Sequence, residues 1–284
     1  MKTAAVYTST MALELIKGAA LLLALSYLET FVWRFFRDHG VLRLVLFGVL
    51  FGVICVIGMM TPLQFSDGII FDARSVIISV AGLFGGPVSG GIAAAIAAGY
   101  RWSLGGAGAP VGVLVIFTSL ATGLIYRYAR AHLGWRAGIP QLFAFGLILH
   151  ILCVGCFMLL PGDAPARILD TVALPFIAVF ASATVLLAWL VGDSHKQYKI
   201  SDELKAATDA LAESERRFRA ISDNSPNAIT LKDADGHYLI VNRTFAKWQG
   251  VEPETLIGRS LYDVLPGDQA NSIIAQDAAV VAKG

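Results

Sequence analysis

GIIFDARSVIISVAGLFGGPVSGGIAAAIAAGYRWSL, residues 68–104, is apolar for nearly its whole length, yet it carries Asp72, Arg74 and Arg101 and is interrupted by Gly85-Gly86-Pro87. Flanking charge sets its topology. Arg34, Arg37 and Arg43 share one loop and Arg127, Arg130 and Arg136 another, and the positive-inside rule places both on the cytoplasmic side. One apolar run at 42–61 and another at 110–128 each provide a single crossing, because about 20 residues at 1.5 Å rise cover the ~30 Å hydrocarbon core. The stretch between them must therefore cross twice, with Gly85, Gly86 and Pro87 as its hairpin turn.

Further apolar runs at 11–33, 140–160 and 169–192 bring the expected count to seven spans. The N-terminus then lies outside, and everything after Gly192 lies in the cytoplasm, beginning with the basic His195, Lys196 and Lys199. The N-terminal run is followed by more spans, so it reads as a retained anchor and not as a cleaved signal peptide. Glycines at 82, 85, 86, 90, 91, 99, 105, 106 and 108 allow helix backbones to approach closely in lipid, which predicts a compact, mostly α polytopic bundle.

Composition agrees. Of 284 residues, 56% are hydrophobic and 15% charged, and the mean hydropathy is +0.66, which excludes an ordinary soluble protein. Residues 1–192 hold 11 Lys and Arg against 7 Asp and Glu, and residues 193–284 hold 11 against 14. Neither part has the basic surplus that phosphate neutralisation needs, so nucleic acid is excluded as a partner. Cys55, Cys153 and Cys156 all sit in apolar runs and write no disulfide framework.

Beyond residue 193 the pattern changes. Ile200, Leu204, Ala207, Leu211, Ser214, Phe218 and Ile221 recur at spacings of 4 and 3, the seam of a left-handed coiled coil that pairs with its copy in a homodimer. Three heptads with Ala and Ser in the seam make a weak zipper, and a lone amphipathic linker helix is the alternative. Then 228–232 reads as a strand, 233–236 as a hairpin turn and 237–241 as the returning strand. Asn242 is placed to cap a helix carrying Phe245 and Trp248, both expected in the core, and Gly250 ends that helix. Three domains follow: 1–192 in the membrane, 193–220 as a signalling helix, and 221–284.

The run from Asn224 to Ile229, the stretch Asp233-Ala-Asp-Gly-His-Tyr-Leu-Ile-Val-Asn242, Phe245, Gly250, Leu256-Ile-Gly-Arg-Ser260 and Asp263 resemble the first part of a PAS domain, a partial α+β fold. The resemblance implies that a long helix and three strands would complete it. In the membrane part, Asp72-Ala-Arg74, Ala81-Gly-Leu-Phe-Gly-Gly-Pro87, Tyr100-Arg101 and Leu104-Gly-Gly-Ala-Gly108 resemble the five-transmembrane sensor domain of the LytS type. That likeness implies the input module of a bacterial inner-membrane sensor histidine kinase or diguanylate cyclase. It also implies a fused output domain or a downstream response regulator, and small carboxylates among the ligands.

Arg74 and Arg101 are the sharpest site candidates, since a guanidinium at membrane depth persists when paired or when facing a watery cavity. Both fall about 16–21 Å from the turn, at similar height, where two planar forks suit one small anion. Asp72 is the competing partner, and an ion pair that only holds the hairpin together is the alternative. Tyr100, Trp102 and Ser103 are candidate pocket lining, or else an interfacial aromatic belt. Glu14 and Lys17 read as a local structural pair. His150, Cys153 and Cys156 share one helix face, and a buried histidine with two thiols is the expected reading, not a metal site. No cofactor is expected; His237 follows a hairpin glycine, a poor place for a haem ligand. No nucleotide-binding loop, phosphorylatable histidine box or cyclase signature appears, so no catalytic residue is assigned. The sequence thus favours a ligand receptor, with a substrate-binding transport subunit and a non-catalytic membrane scaffold as competing classes.

Overall fold

A computed structural model describes the backbone of residues 2–36, 39–60, 63–66, 69–132, 134, 138–233 and 235–281; side chains at 2–16, 63–66, 69, 277, 278, 280 and 281 are outside the description. The chain divides into two units, Met1–Tyr198 and Lys199–Gly284.

The apolar runs become helices α1 (Lys2–Phe35), α2 (Gly40–Met60), α5 (Ala109–His132), α6 (Ile139–Phe157) and α8 (Ala173–Asp223), with a short α7 (Ala164–Thr171) before the last. Between α2 and α5 lie strands β1 (Leu63–Ser66) and β2 (Ile69–Phe71), helix α3 (Arg74–Val80), a π-helical turn (Ala81–Gly85) and helix α4 (Gly86–Ser103). Among the described residues, six helical segments are long and apolar enough to cross a membrane, with Arg74–Ser103 counted as one. That segment doubles back. Gly86 has φ 71°, a conformation L side chains rarely adopt, and a Cβ on Gly90 would lie 2.9 Å from Gly82 Cα. Pro87 falls in the first turn of α4, where its missing N–H costs nothing. The hairpin expected at Gly85-Gly86-Pro87 is present, but its first arm is short. A 7-residue helix and a 5-residue π turn rise at most about 18 Å, because β2 uses residues 69–71, which the sequence reading places in that arm.

The hairpin is the best-shielded of these segments: 72% of its 18-residue apolar window is buried, against 22–44% of the corresponding windows in the others. Phe47, Phe51 and Ile54 of α2, Val76–Ile78 of α3, and Ala93, Ala94 and Ala97 of α4 form the main core with Leu187 of α8. A second cluster joins Phe71 and Val115 to Leu149, Cys153, Phe157, Ile168 and Phe176. Close approach is real at some glycines, whereas Gly91 and Gly99 face open space.

In the second unit, β3 (Thr230–Lys232) pairs antiparallel with β4 (Tyr238–Val241). Asp233 accepts the amides of Asp235 (3.0 Å) and His237 (2.8 Å) across the hairpin; the His237 amide chiefly holds its carboxyl below the usual carboxylate range. Asn242 does more than cap α9 (Arg243–Gln249). Its Oδ1 accepts from Phe245 and Ile229 amides, and its Nδ2 donates to the Ser222 and Asn227 carbonyls, all at 2.8–3.0 Å. Four hydrogen bonds on one buried amide make it the hub of this unit. Asn242→Ala is expected to destabilise the unit by about 3 kcal/mol, since several buried backbone groups lose their partner together. Hydrogen exchange of amides 229–245 in the intact chain checks this. Gly250 ends α9 at φ 68°, and Ser260 and Asp263 form a capping box on α10 (Leu261–Val264). Trp248 departs from expectation: it is exposed, because the seven-residue α9 turns Ala246 inward and Trp248 away.

Candidate functional site

Asp72 sits between β2 and α3. Its Oδ1 accepts the Arg74 amide at 2.9 Å, satisfying one of the orphan N–H groups of the new helix. Its Oδ2 lies 3.4 Å from Arg74 Nη1, and both side chains are about 95% buried, at 5% and 4% exposure. Arg74 also donates from Nη2 to the Ile70 carbonyl (3.0 Å) and from Nη1 to Met59 Sδ (3.7 Å). Arg101 comes from the other arm and is 2% exposed. It donates to the Gly105 carbonyl at 3.0 Å and lies under α5 where Gly112 leaves room, a Cβ there reaching 2.5 Å from Nε. It is within electrostatic reach of Arg74 and Asp72. Arg74 and Asp72 thus form a buried pair at the start of the first arm, and Arg101, buried on the other arm, feels the charge of both.

The other expected lining residues are placed differently. Trp102 is 64% exposed, and Ser103, also exposed, donates to the Tyr100 carbonyl at 2.8 Å; Tyr100 packs against the main core. A cavity of about 280 Å³ reaches Asp72 from the side of α1 and α8, where it is lined by Lys17, Leu22, Gly58, Phe71, Phe180 and others. A void of about 10 Å³ lies against Asp72, Arg74, Ser75 and Phe157. Asp72 stands between the two spaces, and in this state the carboxylate facing Arg74 is its own.

His150 is buried, with Nδ1 2.8 Å from the Gly146 carbonyl and Nε2 3.1 Å from Ser75 Oγ. A carbonyl only accepts, so Nδ1 carries a proton. Cys153 is buried near Ser119 and Cys156 half-buried near Thr118, which fits a packed face. Asp233, Asp235 and His237 bring ligand-type atoms within 4.8 Å of one another, and the hairpin bonds to Asp233 account for that cluster. Glu14's side chain lies outside the described residues.

Two features escaped the sequence. Arg127, read only as a topology charge, donates from Nη1 to the carbonyls of Leu83 (3.0 Å) and Phe84 (2.9 Å), capping the end of the first arm where carbonyls lack helical partners. Glu29, read as part of a plain apolar span, is fully buried and 2.6 Å from His195 Nε2. A carboxylate within an apolar run and a histidine just past the last one were the available signals.

Comparison with known proteins agrees with the architecture. The family described as 5TMR of 5TMR-LYT matches residues 33–194, more than half of the chain, and the PAS fold matches residues 222–284. The two-component sensor PprA of Pseudomonas aeruginosa is 38% identical over 74 residues, which are 26% of this chain and 8% of that protein. No solved structure matches significantly. The six apolar segments and the family match make this a multi-pass membrane protein.

Proposed function

The chain belongs to the family described as 5TMR of 5TMR-LYT, and from that premise we propose that it is a membrane-embedded receptor whose site at Arg74 and Arg101 takes a small carboxylate. Its role as a signalling input follows from the family, the PAS fold and the sensor relative. Domains at 1–192, 193–220 and 221–284 are part of the proposal, as is placement in a bacterial inner membrane with the arginine end outside and the C-terminus in the cytoplasm. The output is of histidine kinase or diguanylate cyclase type, fused or reached through a response regulator.

The observation that carries the reading is the buried Asp72–Arg74 pair, with a second buried guanidinium, Arg101, on the other arm within electrostatic reach of both. An incoming carboxylate exchanges for that of Asp72, so Arg74 never stands unpaired and the penalty of a lone buried charge is avoided. Releasing Asp72 frees the Phe71–Ala73 link to move against the neighbouring cavity. A preference of about 1–3 kcal/mol for the exchanged packing shifts output several-fold to a hundredfold. The change passes along α8, whose Ile200, Leu204, Leu211, Phe218 and Ile221 form an exposed apolar stripe suited to pairing with a second copy.

Thermal melting of the detergent-solubilised chain against a series of small carboxylates tests the site. Stabilisation by at least one of them is expected, and its loss in both Arg74→Gln and Arg101→Gln. Stabilisation retained in both variants overturns the site, and counterflow uptake of the same carboxylate into proteoliposomes favours a transport subunit. If no small molecule in the series changes the melting temperature, the Asp72–Arg74 pair is structural and the scaffold reading is preferred.

A further inference from the structure

At the opposite end of the hairpin from Arg74, the turn, the first helix and the beginning of the post-membrane part of α8 meet in one polar and aromatic cluster. Glu29 is 0% exposed and its Oε1 is 2.6 Å from His195 Nε2. Its Oε2 is buried without a hydrogen-bond partner among the described residues. Thr30 Oγ1 lies 3.3 Å from Ser194 Oγ, and the Tyr198 hydroxyl donates to the Thr30 carbonyl at 3.2 Å. α1 and α8 are thus tied by three polar contacts, made by Ser194, His195 and Tyr198, within little more than one turn of α8.

The His195 ring is enclosed by aromatics. Trp33 lies at 4.4 Å between centroids, Phe84 meets it edge-on at 5.5 Å, and Phe47 is at 6.4 Å. Phe84 immediately precedes Gly85-Gly86, its carbonyl is held by Arg127, and the Arg130 guanidinium lies 5.9 Å from its ring centroid. Gly192 presses the same ring from α8: a Cβ there would be 3.2 Å from Phe84 Cζ. The Arg43 guanidinium covers Trp33 at 3.9 Å. Phe84 is thus the side chain through which the hairpin turn touches the segment of α8 that Glu29 holds.

We propose that Glu29, His195 and Phe84 form a latch that fixes α8 at Gly192–Tyr198 against the hairpin turn, and that displacement of the turn reaches α8 by loosening it. The latch acts as a unit. The short bond and the buried, half-satisfied carboxylate hold His195 in one orientation, and only that orientation presents its ring to Phe84. Moving Phe84 removes one wall of the ring's enclosure, weakens the hold on Glu29 and releases Ser194 and Tyr198 with it. Glu29 and His195 are positioning residues, acting through each other and through Phe84. As the route by which a carboxylate signal leaves the membrane, the latch rests on the function proposed above; as a mechanical coupling between two segments of the chain, it does not.

Hydrogen exchange of the full chain in nanodiscs, without any added carboxylate, separates coupling from simple structural support. Phe84→Ala and His195→Gln are compared, the second keeping a donor for Glu29 but removing the ring. Phe84→Ala is expected to raise exchange at 192–198 roughly tenfold, although the substituted residue is remote in sequence. His195→Gln is expected to do the same at 82–86, and exchange at 101–112 stays unchanged in both. Acceleration confined to the segment carrying each substitution overturns the latch, as does a uniform rise throughout the bundle. Failure of the carboxylate titration leaves this result standing, and failure here leaves the titration untouched.

Discussion

Asp72→Ala is expected to lower the stability of the membrane unit by about 3–5 kcal/mol, the cost of leaving one member of a buried ion pair without its partner. Two losses coincide at this residue. Among the described residues, Arg74 keeps the Ile70 carbonyl and the Met59 sulfur while its side chain stays 95% buried, and the Arg74 amide loses the carboxylate oxygen that starts α3. Asp72→Asn separates them, since it retains an acceptor for the amide and removes only the charge. If a carboxylate exchanges for Asp72, the asparagine variant melts below the parent in carboxylate-free buffer and recovers most of the deficit when millimolar carboxylate is added. Thermal melting in detergent, with and without carboxylate, checks both. A deficit for Asp72→Ala smaller than about 1 kcal/mol would mean that Arg74 finds water at no cost and that the site is already wet.

The second large effect is steric. A Cβ on Gly123 would collide with the Ser79 carbonyl oxygen and stand 3.0 Å from its carbon and 3.2 Å from the Leu83 nitrogen. All three are backbone atoms, so no side chain can swing aside. Gly123→Ala must push α5 off α3 and the π turn, and Arg127, one turn further along α5, is pulled from the Leu83 and Phe84 carbonyls. The expected loss is at the top of the ~1–3 kcal/mol range for overpacking, or beyond it. Gly91→Ala is the control. Nothing lies within 4 Å of a Cβ there, and alanine favours the helix by up to ~1 kcal/mol, so its melting temperature should hold or rise. Equal behaviour of the two variants would show that the helices are not in contact at Gly123.

The elements that the sequence made legible are those written locally. Length and hydropathy mark the long helices, Gly85-Gly86-Pro87 marks the reversal, and the alternation around 233–236 marks the β3–β4 hairpin with Asn242 as its cap. Arg74 and Arg101 stand out in the sequence as charges within an apolar stretch, and both are buried. What was missed depends on partners distant in the chain. Glu29 and His195 are separated by 166 positions, and Arg127 finds its carbonyls 43 and 44 positions away; no period or spacing encodes either. The β1–β2 pairing is not legible in the apolar pattern, because strands of four and three residues are too short to show a period. Ser103 and Trp102 follow Arg101 directly, and that proximity suggested a shared pocket, but successive helical residues point about 100° apart.

The shielding of the hairpin also determines which parts of the bundle respond to the surrounding lipid. With 72% of its most apolar 18-residue window buried, the Arg74–Ser103 segment is solvated mainly by other side chains, so Arg74, Ser75, Ser79, Ser89 and Arg101, all buried, meet few acyl chains. Hydrophobic mismatch, which tilts or stretches helices at fractions of a kcal/mol per Å, then acts on the less enclosed α1, α2, α6 and α8 and only indirectly on the doubled-back segment. Thicker or thinner membranes would therefore tune the outer ring first, while the charged interior keeps its geometry across host bilayers of different composition.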